Sequence, residues 1–270
     1  QIKMNQTLTV KTAFWVVIIS ILFALMVGSV PFLFSNSPFS ETNSRSLSLL
    51  SMFVGQTFMI IPLFIFLRVR KKPIKEMLRI HSVPLNIIFT TILLSFGVVI
   101  LLDEIDRIAN LFLPQSEFLT QLSSLLAFDS LGTAIILLVT ISILAPLSEE
   151  LLFRGFLQKV LEESWKDVTK AVLITSMFFA FIHMNPYWII QIYLIGILLG
   201  YLAWRTGSII PSFILHGFNN CIALVLNNAS PSIESFYLWN GHVSPPFLAL
   251  AGGVFFLGFK RLNSQVELLA

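Results

Sequence analysis

Two adjacent glutamates, Glu149 and Glu150, lie near the end of an apolar run, 131–153, that carries no other charge. An ionised carboxylate near a bilayer centre costs roughly 2.5–3.5 kcal/mol even on lenient insertion scales, so such residues face a protein interior or a wet cavity and mark function. On a helix Glu150 and Arg154 are four apart and share a face. Arg154 can therefore neutralise Glu150 with a charge-assisted bond, a pair that can also simply lock two helices. Glu149 is turned about 100° away, at 3.6 residues per turn, and has no such partner. Glu149 is expected to be the working carboxylate, a general base or acid, with Glu150 and Arg154 as its support. Pro146 removes one backbone hydrogen bond just upstream, which would bend the helix and open a water pocket beside Glu149.

Two histidines on later apolar segments extend the chemistry. His183 closes the run 178–182, and Phe179, one turn earlier, either packs in the core or walls the imidazole. His216 and Asn220 stand one turn apart on one face. A histidine and a carboxamide can donate together to a developing oxyanion, or bond to each other as an interhelical pair. His216 and Asn220 could also ligate a metal, although asparagine is a poor zinc ligand. Asn219 faces elsewhere and reads as helix glue. His81 and His242 lie in polar loops and are expected to be solvated. Cys221 is the sole cysteine, which rules out a disulfide within the chain and a cysteine-based zinc site. Its apolar setting suits a small packing residue.

The elements that must position these groups are transmembrane helices. The chain is 56% hydrophobic and 11% charged, with mean hydropathy +0.86, against about 25% charged residues in a soluble domain. Continuous apolar runs of about 20 residues span a bilayer as helices, whereas a membrane β-barrel shows short alternating segments. The expected fold is an all-α polytopic bundle of eight spans: 12–34, 47–67, 85–102, 131–157, 168–184, 188–204, 209–226 and 245–259. The third begins just after Pro84, a residue suited to a helix start. The first is too long for a signal peptide and no clean cleavage site follows it, so it is expected to be retained. Residues 1–270 read as one transmembrane domain, with spans four to seven, residues 130–225, as the catalytic core. No internal repeat or low-complexity segment interrupts it.

Charge orients the bundle. The loop between spans two and three holds Arg68, Arg70, Lys71, Lys72, Lys75 and Arg79, and positive loops stay in the cytoplasm. Alternation then puts both termini inside, with Lys3, Lys11, Lys159, Lys166, Lys170, Arg205, Lys260 and Arg261. Only Arg45 and Arg107 fall outside, beside an acidic set of Asp103, Glu104, Asp106, Glu117 and Asp129. The basic loop suits anionic lipid or an acidic substrate. Residues 111–128 could form an amphipathic helix on the outer surface. At 1.5 Å per residue, Glu149 lies about 15 Å from Lys159, His216 about 12 Å from Gly207 and His183 about 20 Å from Lys170. The three could share one layer in the cytoplasmic half.

Glu149-Glu150-x-x-x-Arg154, Phe179-x-x-x-His183 and His216-x-x-x-Asn220 together resemble the three motifs of the CAAX protease and bacteriocin-processing (CPBP, or Abi) family, which includes the type II CAAX prenyl endopeptidases. The resemblance covers about residues 130–225. It implies an intramembrane endopeptidase with an active site open to the cytoplasmic side. Glu149 with His183 would activate a water, and His216 with Asn220 would form the oxyanion site. The family is also widely described as metalloproteases, in which Glu149, His183 and His216 would hold zinc; the metal-free version is slightly preferred. The implied partners are a peptide or membrane-anchored protein substrate and the lipid bilayer, with no nucleic acid. The composition hints at a bacterial cytoplasmic membrane, where a bacteriocin or signalling-peptide precursor, or self-immunity, fits better than prenylated CAAX proteins. Two rivals use the same residues: a non-catalytic scaffold for a sensor kinase or secretion partner, and a proton-coupled transporter. Against the transporter, no pair of broken helices occupies matched halves of the chain.

Overall fold

The computed structural model describes residues 8–34, 41–113 and 117–268. Lys3 and residues 114–116 of the expected 111–128 helix lie outside the described residues. The apolar runs fold as helices. Among the described residues six are long and apolar enough to cross a membrane: α1 (Val10–Leu33), α2 (Ser44–Val69), α3 (Leu85–Asn110), α5 (Leu131–Trp165), α7 (Ile189–Thr206) and α8 (Ile210–Asn227). Between α3 and α5 lies the short α4 (Glu117–Leu125). The expected fifth span is the shorter apolar helix α6 (Val168–Ile182). After a seven-residue helix α9 (Pro231–Tyr237), the expected last span becomes the 23-residue α10 (Pro245–Glu267). It is longer than its apolar run, because Lys260, Arg261 and Glu267 continue the same helix past the hydropathic boundary. Among the described residues the fold is all-α apart from a two-residue ladder, β1 (Leu238–Trp239) against β2 (His242–Val243).

Local chemistry sets the ends of the site-bearing helices. Ser130 caps α5 through a reciprocal box with Thr133. At the other end Lys166 adopts a left-handed conformation, and Asp167 then caps α6 by accepting from the Lys170 backbone N–H. This tight turn sends α6 back against α5.

Among the described residues three buried clusters hold the bundle, the smallest being Leu49, Leu137 and Leu224 across α2, α5 and α8; the two larger ones form its halves. One joins α1, α2, α5 and α6 through Val17, Leu63, Leu67, Phe153, Phe156 and Phe179. The other joins α3, α7, α8 and α10 through Leu94, Val98, Leu199, Leu215 and Leu262. α3 packs chiefly on α10 and α8, and α6 on α7. The site lies where these two halves meet.

Candidate active site

α5 is not a uniform α-helix. Two π-helical stretches, Thr140–Leu144 and Leu151–Leu157, flank the α-helical segment Ala145–Glu150 that carries both glutamates. The Ala145 N–H reaches back five residues to the Thr140 carbonyl. Pro146, which has no N–H to give, follows directly. Each π insertion widens the helix by one residue and re-aims the side chains after it, a device common at functional sites.

Glu149, Glu150 and Arg154 are all buried, at 8%, 0% and 0% exposure. Glu150 Oε1 accepts from Arg154 at 2.8 Å and from His216 Nδ1 at 2.8 Å. Its other oxygen, Oε2, is buried without a hydrogen-bond partner among the described residues. Arg154 also donates to the Gly196 carbonyl on α7 at 3.3 Å and lies over the Phe179 ring, 4.1 Å from its centroid. A guanidinium on an aromatic face adds cation–π attraction, strongest where water is excluded. Glu149 has a looser contact, Oε2 to His216 Nε2 at 3.7 Å. The two carboxylates thus differ in kind. One is held by two donors, and the other faces a cavity.

That cavity, about 560 Å³, is lined by Glu149, Phe179, His183, His216, Asn219 and Asn220, among others. His183 is exposed to it at the C-terminal end of α6, with Nδ1 2.7 Å from the Phe179 carbonyl. A carbonyl only accepts, so Nδ1 carries the proton and neutral His183 presents Nε2 as an acceptor. Phe179 stands edge-on to both imidazoles, 4.8 Å from His183 and 5.7 Å from His216 between ring centroids. By the same logic His216 Nδ1 donates to the Glu150 carboxylate. Its Nε2 then carries a proton only in the imidazolium form. Asn220 Nδ2 donates one of its two hydrogens to the Ile141 carbonyl at 3.0 Å, which leaves the other free.

Close approach of the helices around the site depends on glycines, among them Gly217 and Gly200. A methyl group at Gly217 would sit 2.6 Å from the Ser142 carbonyl oxygen, and one at Gly200 would sit 2.8 Å from Gln158 Oε1. Gln158, fully buried one turn after Arg154, donates to the Gly200 carbonyl at 2.9 Å. Sequence reasoning missed Gln158, the Gly196 and Gly200 carbonyls, and the cavity-lining Gln191. The Gly-x-x-x-Gly spacing, with Gln158 placed four after Arg154, was the available signal. His242, expected to be solvated, is partly exposed and also bonds to Glu104 at 2.7 Å. The ladder brings its loop down onto α3. His81 is exposed, and its carbonyl accepts from Ser208.

Among the described residues, no group of three histidine, cysteine or acidic side chains is placed to hold a metal ion. Glu149, His183 and His216 share a cavity wall but do not converge as a ligand set. No step is therefore derived through zinc.

Residues 131–222 match the family described as type II CAAX prenyl endopeptidase Rce1-like. The chain is also similar to an uncharacterized 24.3 kDa protein of Escherichia coli, 34% identical over 110 residues, which cover 39% of this chain and 49% of that protein. The chain thus spans about half the length of the curated relative it matches. No solved structure matches it.

Proposed function

We propose that this chain, whose residues 131–222 form an Rce1-like domain in keeping with the CPBP family, is an intramembrane endopeptidase acting on a membrane-associated peptide or protein precursor. One observation carries the reading: Glu149, His183, His216 and Asn220, from three separate helices, line a single cavity.

The chemistry follows from the donors present. Water held between Glu149 and His183 Nε2 gives a proton to Glu149 as it adds to the scissile carbonyl. The carbonyl oxygen becomes an oxyanion. His216, as imidazolium, donates Nε2–H to it, with Glu150 balancing the charge from the other ring nitrogen. Asn220 supplies a second donor from its free amide hydrogen. Glu149 then returns the proton to the leaving amine, as a general acid. Arg154 and Phe179 hold Glu150 and both rings in place and touch no reacting atom.

The test is cleavage by the purified protein in liposomes, read by mass spectrometry against a mixed peptide and precursor pool. Glu149→Gln is expected to lower the cleavage rate by about 10²–10⁴-fold, and Asn220→Ala by about 10²–10³-fold. Wild-type cleavage that survives both substitutions unchanged would sink the assignment and favour the scaffold.

A further inference from the structure

We propose that the chamber is entered from the non-cytoplasmic face of the membrane, so that the segment it takes is a peptide exposed on that face. The proposal deepens the peptidase reading and rests on it for the word substrate. The route itself rests on geometry and charge alone.

The cavity that contains Glu149, His183 and His216 is also lined by Asp103, Asp106, Arg107 and Asn110 of α3, Ser123 of α4 and Asn227 of α8. Those six residues mark one end of the bundle. α3 leaves the basic loop at Leu85, six residues after Arg79, and at 1.5 Å per residue its 26 residues run about 39 Å to Asn110. That length exceeds the hydrocarbon core of a bilayer, about 30 Å. α8 starts five residues after Arg205 and ends at Asn227, so it runs in the same direction. Ser123 and Asn227 are exposed there and bond to each other at 2.8 Å.

The opposite end is closed. Every residue of Leu151–Leu157 is buried. Below Glu149, Arg154 and Gln158 tie α5 to the α7 backbone. Beneath them Arg79 pairs with Glu162, the Ile209 N–H donates to the Arg79 carbonyl at 3.1 Å, and Ser208 donates to the His81 carbonyl at 2.6 Å. No lining residue of the cavity comes from this layer.

Charge says which end is which. Arg68, Arg70, Lys71, Lys72, Lys75, Arg79, Lys159, Lys166, Lys170 and Arg205 lie at the closed end. At the open end Arg45 and Arg107 are each paired, with Asp129 and Asp103. A basic face is a cytoplasmic face. The sequence-based expectation of a cytoplasmic opening came from family resemblance. The cavity and the charges point the other way.

The experiment is side-specific thiol labelling in the full chain. Cys221→Ser removes the native thiol, and single cysteines are placed by Ser123→Cys at the mouth, Gln191→Cys and Ala223→Cys on the cavity wall, and Ser164→Cys at the closed end. A charged, membrane-impermeant methanethiosulfonate is added to right-side-out or inverted vesicles. Ser123→Cys and at least one wall position should react only in right-side-out vesicles, and Ser164→Cys only in inverted ones. Wall positions that react only in inverted vesicles, or from neither side, overturn the proposal. So does reaction of Ser164→Cys from outside. Labelling does not depend on activity: loss of the peptidase reading leaves the map standing, and a reversed map leaves a peptidase with a cytoplasmic entrance.

Discussion

A single oxygen, Glu150 Oε1, accepts from both Arg154 and His216, and this sets up a separation of effects between neighbouring glutamates. Removing the charge of Glu150 leaves a fully buried guanidinium without its counter-ion. Breaking a buried pair from one side costs about 3–5 kcal/mol. Glu150→Gln should therefore lower Tm strongly in detergent, and activity falls with it. Glu149→Gln disturbs a 3.7 Å contact with His216 and a charge interaction with Arg154 weaker than that of Glu150, so its unfolding free energy should fall by only about 1 kcal/mol while cleavage is lost. The double variant Glu150→Gln/Arg154→Met checks the cause. It removes both charges and should recover most of the stability, as apolar replacement of buried pairs does, but not the activity, because His216 has lost the carboxylate that orients it. Equal Tm losses for the two glutamates would show that their roles are not divided.

At the scale of helices, the crossing of α8 over α5 determines where His216 points. Gly217 packs against the Ser142 carbonyl of the first π-helical stretch. A methyl group there must push two backbones apart. Gly217→Ala is expected to cost about 1–3 kcal/mol, as overpacking does. Because the displaced residue adjoins His216, kcat should fall by about 10²-fold with KM little changed, in line with the effect of a 1 Å misplacement. Steady-state kinetics at a temperature where the variant remains folded would show it. A variant that loses stability but keeps kcat would mean that the crossing does not aim the imidazole. Much of this framework was legible from residue order. The apolar runs located the helices, and the four-residue spacings of Glu150 with Arg154 and Phe179 with His183 grouped the site. What remained hidden was contact between distant residues. Glu150 and His216 are 66 residues apart, and hydropathy does not say which faces of α5 and α8 meet. The π-helical stretches were hidden too, since Pro146 announces a missing hydrogen bond but not the extra residue that replaces it. Depth along single helices placed the groups in one layer, but only the packed side chains show which end of that layer is filled.

The molecule as a whole carries a fastening at its open end. The segment from α9 through the β1–β2 ladder is tied to α3 by Glu104, which accepts from His242 and from the Val243 N–H at 2.8 Å, and by Tyr237 beside Asp103. Asp103 lines the cavity, so this strap steadies the mouth of the chamber. Burial, then the nearby Asp103 charge and its hydrogen bond to the phenol, push the Tyr237 pKa up from 10.0. The folded state therefore favours the neutral phenol. Its contribution to stability is fully present below pH 10 and is lost as pH rises from there through the folded-state value. Wild type should lose Tm above about pH 10, the ordinary tyrosine value, more steeply than Tyr237→Phe, which has no proton to release. At neutral pH the same variant loses one hydrogen bond to a carboxylate and should be slightly less stable than wild type, by about 1–2 kcal/mol. The two melting curves should therefore converge with rising pH. Parallel curves across that range would mean that the phenol is as free to ionise in the fold as in the unfolded chain, and that the strap does not hold the mouth.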